Sequence, residues 1–251
     1  MSNDAMVIIL GRGGSRGVPR KNVARIAGRP CVAWTVDAAK ASRTAGLVVV
    51  SSDDEEILLA GRDAGAVPIA RPDELATDTA RVDDAARHTL DEIERQGLAR
   101  VTPRTPVVIL YANVPVRPNG LIDRAVSLMI ESGADSVQSY APVGKHHPWW
   151  TARLGDAGVV APWEGPVLNH GVFRRQDLPP AYIPDGGVLV VSAACLRLNV
   201  PGVPAGPHAF FGNNRRGVIN DEGSVIDIDG PIDMLVADAI LSARHGREAA
   251  A

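Results

Sequence analysis

Met6-Val7-Ile8-Ile9-Leu10 runs straight into Gly11-Arg12-Gly13-Gly14-Ser15-Arg16-Gly17-Val18-Pro19-Arg20-Lys21-Asn22. The first five residues are apolar throughout, the pattern of a strand buried on both faces. The next twelve set four glycines and a serine among four cations, at the expected carboxyl end of that strand. Glycine lets backbone N–H groups come close to a ligand, and the cations neutralise its charge. The stretch therefore predicts a site for a polyanion, a triphosphate above all. Neither standard phosphate fingerprint is present. There is no G-x-x-x-x-G-K-[ST], and Arg16 stands where G-x-G-x-x-G requires its last glycine.

Working outward, Pro30 opens a helix with Cys31, Trp34, Thr35 and Ala38 at helical spacing. Leu47-Val48-Val49-Val50 predicts a second buried strand, closed by Ser51-Ser52-Asp53-Asp54 and followed by a helix over 55–64. The proline in 66–70 marks a short edge strand. An amphipathic helix is expected near 81–96, a third buried strand over 106–111, a helix over 121–132 and a strand over 136–141. Apolar strands alternating with helices predict a doubly wound, mostly parallel α/β sheet covered on both faces. Ligands on such sheets sit at the carboxyl ends of the strands. Residues 12–22, 51–54 and 111–117 all fall at such ends, which points to one site.

From 145 to 185 the pattern breaks into prolines and tryptophans, with a hairpin expected around 154–158. This segment reads as an arm inserted in a core made of 1–144 and 186–251. Strand returns over 187–192, a last strand is expected over 224–229, and a helix over 232–243.

The chain has 251 residues, 45% hydrophobic and 22% charged, with a net charge of −3, so nothing draws it broadly to nucleic acid or an anionic membrane. Cys31 and Cys195 lack metal-ligand spacing and form no disulfide framework. No apolar run approaches the roughly 18 residues needed to span a bilayer, and 1–5 lacks the features of a signal peptide. A cytoplasmic protein is expected.

Asp227-Ile228-Asp229 is the second chemical feature. On a strand, side chains at i and i+2 share a side, so both carboxylates could face one hard divalent cation, Mg²⁺ or Mn²⁺. A surface strand with alternate acids would read the same way; the triphosphate loop tips the reading toward metal. His146-His147 on an extended segment point apart and suit a structural or substrate-contact role better than one metal.

These motifs resemble the acylneuraminate (sialic acid) cytidylyltransferases and, more distantly, the enzymes that activate Kdo. The resemblance rests on 14–22, Ser-Ser-Asp-Asp at 51–54, Arg-Pro-Asp-Glu-Leu-Ala-Thr-Asp-Thr-Ala at 71–80, His-His-Pro at 146–148, Arg-Gln-Asp-Leu-Pro at 175–179 and Asp-Ile-Asp at 227–229. It implies a nucleotidyltransferase-type, Rossmann-like three-layer sandwich that uses CTP and Mg²⁺ to make a CMP-sugar acid and pyrophosphate. By the same resemblance Arg12 and Lys21 are catalytic, contacting the triphosphate together with Gly13, Gly14, Ser15 and Arg16. Asn22, Arg71 and the backbone at Ala80 read cytosine and ribose, and Asp227 and Asp229 hold the metal. Tyr111, Asn113, Arg175, Phe210 and Phe211 belong to the acceptor pocket, the last three reaching it from the partner of a homodimer whose arm is 145–185. The expected partners are CTP and a small acidic sugar.

Departures from the family pattern gather on the acceptor side. Leu110-Tyr111-Ala112-Asn113-Val114-Pro115-Val116-Arg117 stands where the family has Leu-Gln-Pro-Thr-Ser-Pro-Leu-Arg. Trp150 and Ile183 replace cations, and Asp185 replaces an asparagine. A buried carboxylate on the acceptor needs paired donors, for which Lys145, Arg174 and Arg117 are the candidates. A different acceptor, such as another ulosonic acid or a sugar phosphate, is one alternative. A nucleotide-sugar glycosyltransferase and a non-catalytic nucleotide-binding protein are others.

Overall fold

The computed structural model describes residues 5–14 and 17–248, the last four of them as backbone only. In chain order the elements are β1 (Ala5–Leu10), a ribbon of β2 (Arg25–Ile26) and β3 (Arg29–Pro30), α1 (Cys31–Lys40), β4 (Ala45–Ser52), α2 (Glu55–Asp63), β5 (Val67–Ala70), α3 (Val82–Arg95), β6 (Pro106–Tyr111), α4 (Leu121–Ser132), β7 (Ser136–Pro142), a hairpin of β8 (Ala152–Leu154) and β9 (Val160–Pro162), β10 (Tyr182–Ser192), α5 (Ala193–Leu196), β11 (Arg215–Ile219) and α6 (Pro231–Glu248).

Seven strands form one sheet in the order β11-β7-β10-β6-β1-β4-β5. All neighbours are parallel except β10, which runs antiparallel to both β6 and β7. Alternation along β1 divides the core. Val7 and Ile9 join Val32, Val36, Ile57 and Val126 from α1, α2 and α4 on one face. Ile8 and Leu10 join Ala86, Leu90, Ile93 and Leu196 from α3 and α5 on the other. The result is the expected three-layer sandwich, with proline-bearing β5 at an edge. From β1 the chain first builds outward through β4 and β5, then returns to place β6 on the other side of β1. The crevice between the carboxyl ends of β1 and β6 is thus a topological switch point, where such sheets bind ligands.

Two expectations about the C-terminal region need correction. The stretch 224–229 is not a strand of the sheet; its one ladder contact is an isolated bridge between Ile226 and Val116. It lies extended across the end of β6, held by Ile226 N–H to Val116 O (3.2 Å) and Ile228 N–H to Asn113 O (2.9 Å). The sheet strand is β11, which sequence reading left as loop. Its residues Arg215-Arg216-Gly217-Val218-Ile219 bury only Val218, as an outermost strand can, so no apolar run announced it. A third small core then fixes the extended segment. Ile228 packs with Val18, Cys31, Trp34, Val116 and, from α6, Ala237 and Leu241.

Residues 143–181 leave the sheet as short turns around the β8–β9 hairpin. His147 organises the base of this segment. Its Nδ1 accepts the Trp149 N–H (3.1 Å), which puts the ring proton on Nε2, 3.1 Å from the Pro179 carbonyl oxygen. The structural role of His147 is thereby visible, while His146 is exposed.

Candidate active site

Adjacent acids at the end of β4 divide their work. Asp54 caps α2, accepting the N–H groups of Glu56 and Ile57 at 2.9 and 3.1 Å. Asp53 is left to face the glycine loop, where it accepts the Gly13 N–H at 3.2 Å and lies 3.6 Å from the Arg71 guanidinium. Arg71, carried in from the end of β5, is buried and donates to Gly11 O at 2.7 Å. Burial lowers its pKa, with Asp53 acting against the fall. Asn22 Nδ2 donates to Arg12 O at 2.8 Å. Carboxylate, guanidinium and amide together hold the loop from behind.

The glycines serve close packing as much as ligand approach. A Cβ on Gly13 would stand 2.8 Å from the Asp54 carboxylate, and one on Gly17 would overlap the Asp229 carbonyl oxygen; Gly14 faces open space. Ser15 and Arg16, expected triphosphate ligands, lie outside the described residues.

A cavity of about 400 Å³ opens in front of the loop. Arg12, Gly14, Lys21, Asn22, Arg71, Ala80, Tyr111, Asn113 and Asp229 all line it. The structure thus brings together most of the side chains singled out in the sequence. Arg12 reaches across to Asp78 (2.7 Å), and Lys21 Nζ donates to Asp229 Oδ1 (2.8 Å) and Ile228 O (2.7 Å). The Ala80 N–H donates to Thr77 O (3.2 Å), so only its carbonyl remains to meet a ligand. Two buried polar atoms of cavity-lining residues, Asn22 Oδ1 and Arg71 Nε, have no partner among the described residues.

Of the two acids at 227 and 229, Asp229 lines the cavity and Asp227 lies outside its lining, against Asn113, which does line it. Asp227 is half-buried and accepts a hydrogen bond from Asn113 Nδ2. Burial, then the charge of Asp229, push its pKa up to about 6, with Lys21 and Arg117 pulling the other way. Asp229 is mostly exposed, its side chain 78% accessible. The shared-face argument for a strand does not apply to an extended segment outside the sheet, yet the two carboxylates interact electrostatically. Burial and the Asp227 charge raise the Tyr111 phenol, which stays protonated at neutral pH.

Other expected acceptor residues lie elsewhere in the chain. Arg175 pairs with Glu222 (2.7 Å) beside the arm. Phe210 belongs to the core on the α3 face and stacks on Phe211 with ring centroids 4.4 Å apart, away from the cavity. Trp150 turns its indole N–H to Val172 O (3.0 Å), and Ile183 is exposed. Asp185 accepts from Ser139, the Gly187 N–H and Asn220 in a closed network. Of the three cations offered as replacements, Lys145 is exposed, Arg174 pairs with Asp177 (2.6 Å), and Arg117 has its guanidinium engaged with protein oxygens. Sequence reading passed over Asp53 and Asp78. Asp53 had a signal in its doubled acid, since one carboxylate suffices for a helix cap.

A sequence profile described as "Cytidylyltransferase" matches residues 6–149. An N-acylneuraminate cytidylyltransferase of Streptococcus agalactiae is 32% identical over 188 residues, covering 73% of this chain and 42% of the relative; the chain spans under half the length of that protein. A pseudaminic acid cytidylyltransferase of Campylobacter jejuni is 30% identical over 179 residues, 70% of this chain and 73% of the relative. In fold, the chain is similar to a CMP:2-keto-3-deoxy-manno-octonic acid synthetase solved with CTP. The TM-score is 0.69 at 14% identity, over 96% of this chain and 99% of that one. With more than half its length matched by the profile, and with the cavity at the switch point of the sheet, this chain belongs to the cytidylyltransferase family.

Proposed function

We propose that this chain couples CTP to a sialic-acid-like (nonulosonic) sugar acid, giving a CMP-sugar and pyrophosphate. One observation carries the nucleotide half of this reading: the unpartnered pair in the cavity wall, Asn22 Oδ1 and Arg71 Nε. The orientation of Asn22 is fixed because its Nδ2 donates to a carbonyl, so its free atom is an acceptor. Arg71 Nε is a donor. Cytosine presents the complement, a 4-amino donor beside the N3 and O2 acceptors, whereas uracil reverses the first two. A site that leaves a buried polar atom unpaired discriminates strongly.

An acceptor hydroxyl oxygen attacks the α-phosphorus of CTP in line. The bond from that phosphorus to the bridging oxygen breaks, pyrophosphate leaves, and the hydroxyl proton is lost to water. Arg12 and Lys21 stabilise phosphate charge, for which Arg12 exchanges Asp78, and Lys21 exchanges Asp229, for phosphate oxygens. Asp227 and Asp229 suit Mg²⁺ or Mn²⁺. They are hard oxygen donors, and burial followed by the charge of Asp229 raises the pKa of Asp227; a bound ion would take its remaining ligands from water and phosphate. When bound, the ion neutralises phosphate charge and acidifies a coordinated hydroxyl.

The arm supports a homodimer. Phe173 is 83% and Leu154 76% exposed, with Val159, Trp163 and Val167 also uncovered, apolar side chains that a second copy would cover. In that assembly Arg175 of the arm would meet the acceptor of the second copy. No helix among the described residues is long and apolar enough to cross a membrane, and a CTP-consuming reaction fits the cytoplasm. The test follows pyrophosphate release with each of the four nucleoside triphosphates against a panel of nonulosonic and ulosonic acids and sugar phosphates. Release with CTP and a nonulosonic acid is expected. A preference for another triphosphate, or none released with any acceptor, overturns the reading; release only with a sugar phosphate refutes its acceptor half.

A further inference from the structure

Arg117 is a buried cation, 5% exposed, with no carboxylate within 4 Å of its guanidinium among the described residues. Its Nε donates to Gly187 O (2.7 Å), one terminal nitrogen to Thr35 Oγ1 (3.0 Å) and Val114 O, the other to Tyr111 O (3.1 Å). All four acceptors are neutral, and they come from β10, α1, the end of β6 and the turn after it. Burying a charge among neutral oxygens is costly, and an apolar side chain could fill the same space. What the guanidinium adds is a rigid fork that fixes four separate acceptors at set spacings.

Two of those acceptors, Tyr111 O and Val114 O, bracket Asn113. Asn113 in turn donates from Nδ2 to the Asp227 carboxylate and to Ile228 O (3.3 Å), and its carbonyl accepts the Ile228 N–H (2.9 Å). A third acceptor, Gly187, anchors β10 beside Gly186, where a Cβ would lie 3.5 Å from the other Asp227 oxygen. The chain of contacts runs from Arg117 through the 111–114 turn to Asn113 and ends on Asp227. Arg117 does not line the cavity, and the donor-side residues Asn22, Arg71 and Ala80 lie outside this chain.

We propose that Arg117 is a positioning residue for the reaction: it fixes the 111–114 turn and, through Asn113, the place of the Asp227 carboxylate, without touching either substrate. The inference rests on the cytidylyl-transfer reading above. Arg117→Lys keeps the charge but cannot reach four acceptors; Asn113→Ala cuts the last link. Turnover and KM are measured for the full chain, each variant and the double variant, with the CTP dissociation constant taken by calorimetry without acceptor. Arg117→Lys should lower kcat about 10- to 100-fold, the cost of misplacing a reacting group by roughly an ångström, and leave CTP affinity within about threefold. The double variant should lose no more than the worse single one, because both act along one path. Losses that multiply, a kcat within twofold of the parent, or a fall in CTP affinity matching the fall in kcat overturns the inference. Should Arg117→Lys fail to fold, Thr35→Val, which removes one of the four acceptors of the clamp and does not line the cavity, decides by the same split. A parent chain that releases no pyrophosphate overturns the cytidylyl-transfer reading and this inference with it; an active parent with an unaffected variant overturns only the latter.

Discussion

The two sides of the cavity, donor and acceptor in the proposed reaction, are balanced differently. On the donor side the described charges have counterparts: Arg71 lies against Asp53, Arg12 pairs with Asp78, and backbone N–H and carbonyl groups of the loop are engaged by Asp53, Asn22 and Arg71. On the acceptor side Asp229 lines the cavity with Asp227 next to it, and among the described residues Lys21 alone makes an ion pair there, with Asp229. The donor wall is shaped before a ligand arrives. The acceptor wall holds excess negative charge that a cation would relieve. Lys21 stands between the two, and Gly17 lets them touch.

Lys21→Ala therefore gives the largest expected effect. Loss of a charge-stabilising donor at a phosphoryl-type transition state costs about 100- to 1,000-fold in kcat, and Lys21 also neutralises Asp229. CTP-dependent pyrophosphate release should fall by at least that factor while the circular dichroism spectrum is unchanged. Near-parental turnover would break the assignment of Lys21 to both walls.

Asn22→Asp comes next and probes the donor wall alone. A carboxylate cannot donate to Arg12 O, so the loop carbonyl loses its partner, and like-charged oxygens gather at the nucleotide. The CTP dissociation constant should rise about 10- to 100-fold, with discrimination against UTP reduced and acceptor KM little altered. Equal changes for CTP and acceptor would show that the walls are not separable.

This division also explains what the sequence disclosed. The donor wall is written in short runs at strand ends: the loop over 11–22, the acids at 51–54 and Arg71. Each follows an apolar strand, so its place at the carboxyl ends of the sheet was legible, although the work of Asp53 behind the loop was not. The sheet was legible for the same reason, down to the edge strand at 67–70. The acceptor side is assembled from Tyr111, Asn113 and Asp229, which lie more than a hundred residues apart at their extremes and meet only because 226–229 crosses the end of β6. Ile226 and Ile228 mimic a strand by alternation, although Ile228 fills the small core under α6. β11 was hidden by its two exposed arginines. Arg117, a candidate for the acceptor carboxylate, proved to be engaged with protein oxygens. No local pattern separates a buried clamp from a binding cation.

The burial of Asp227, with the charge of Asp229 beside it, makes a prediction about pH. The folded-state pKa of Asp227 is raised to about 6 from an unfolded value of 3.8, so the folded protein holds its proton more tightly than the unfolded chain. Ionised Asp227 thus opposes folding: the cost is absent below pH 3.8, builds between there and about pH 6, and is complete above it. After allowance for solvent screening at a partly exposed group, the cost is about 1 to 2 kcal/mol. In metal-free buffer Asp227→Asn should stabilise the protein by that amount at pH 7.5 and by nothing measurable at pH 3.5. Denaturant unfolding at the two pH values checks it. Equal stabilisation at both would mean that crowding by Asp229 and burial are not what distinguishes this wall.

Tyr111→Gln is expected to have the smallest effect and is the finest probe of where one wall ends. Tyr111 closes β6 and lines the cavity beside Asn113, and its phenol keeps its proton because burial and Asp227 both oppose ionisation. It can therefore donate a hydrogen bond to an acceptor substrate but cannot serve as a general base at neutral pH. Glutamine removes the ring and offers an amide donor from a shorter reach. If Tyr111 serves the acceptor wall, the variant should shift acceptor KM about three- to tenfold, roughly 0.6 to 1.4 kcal/mol, and with it the ranking of sugar acids. CTP affinity measured without acceptor should stay within about twofold, because Asn22 and Arg71 are held by Arg12 O, Gly11 O and Asp53 rather than by β6. A loss of CTP affinity as large as the change in acceptor KM would move Tyr111 to the donor wall and shift the boundary between the two to Asn113.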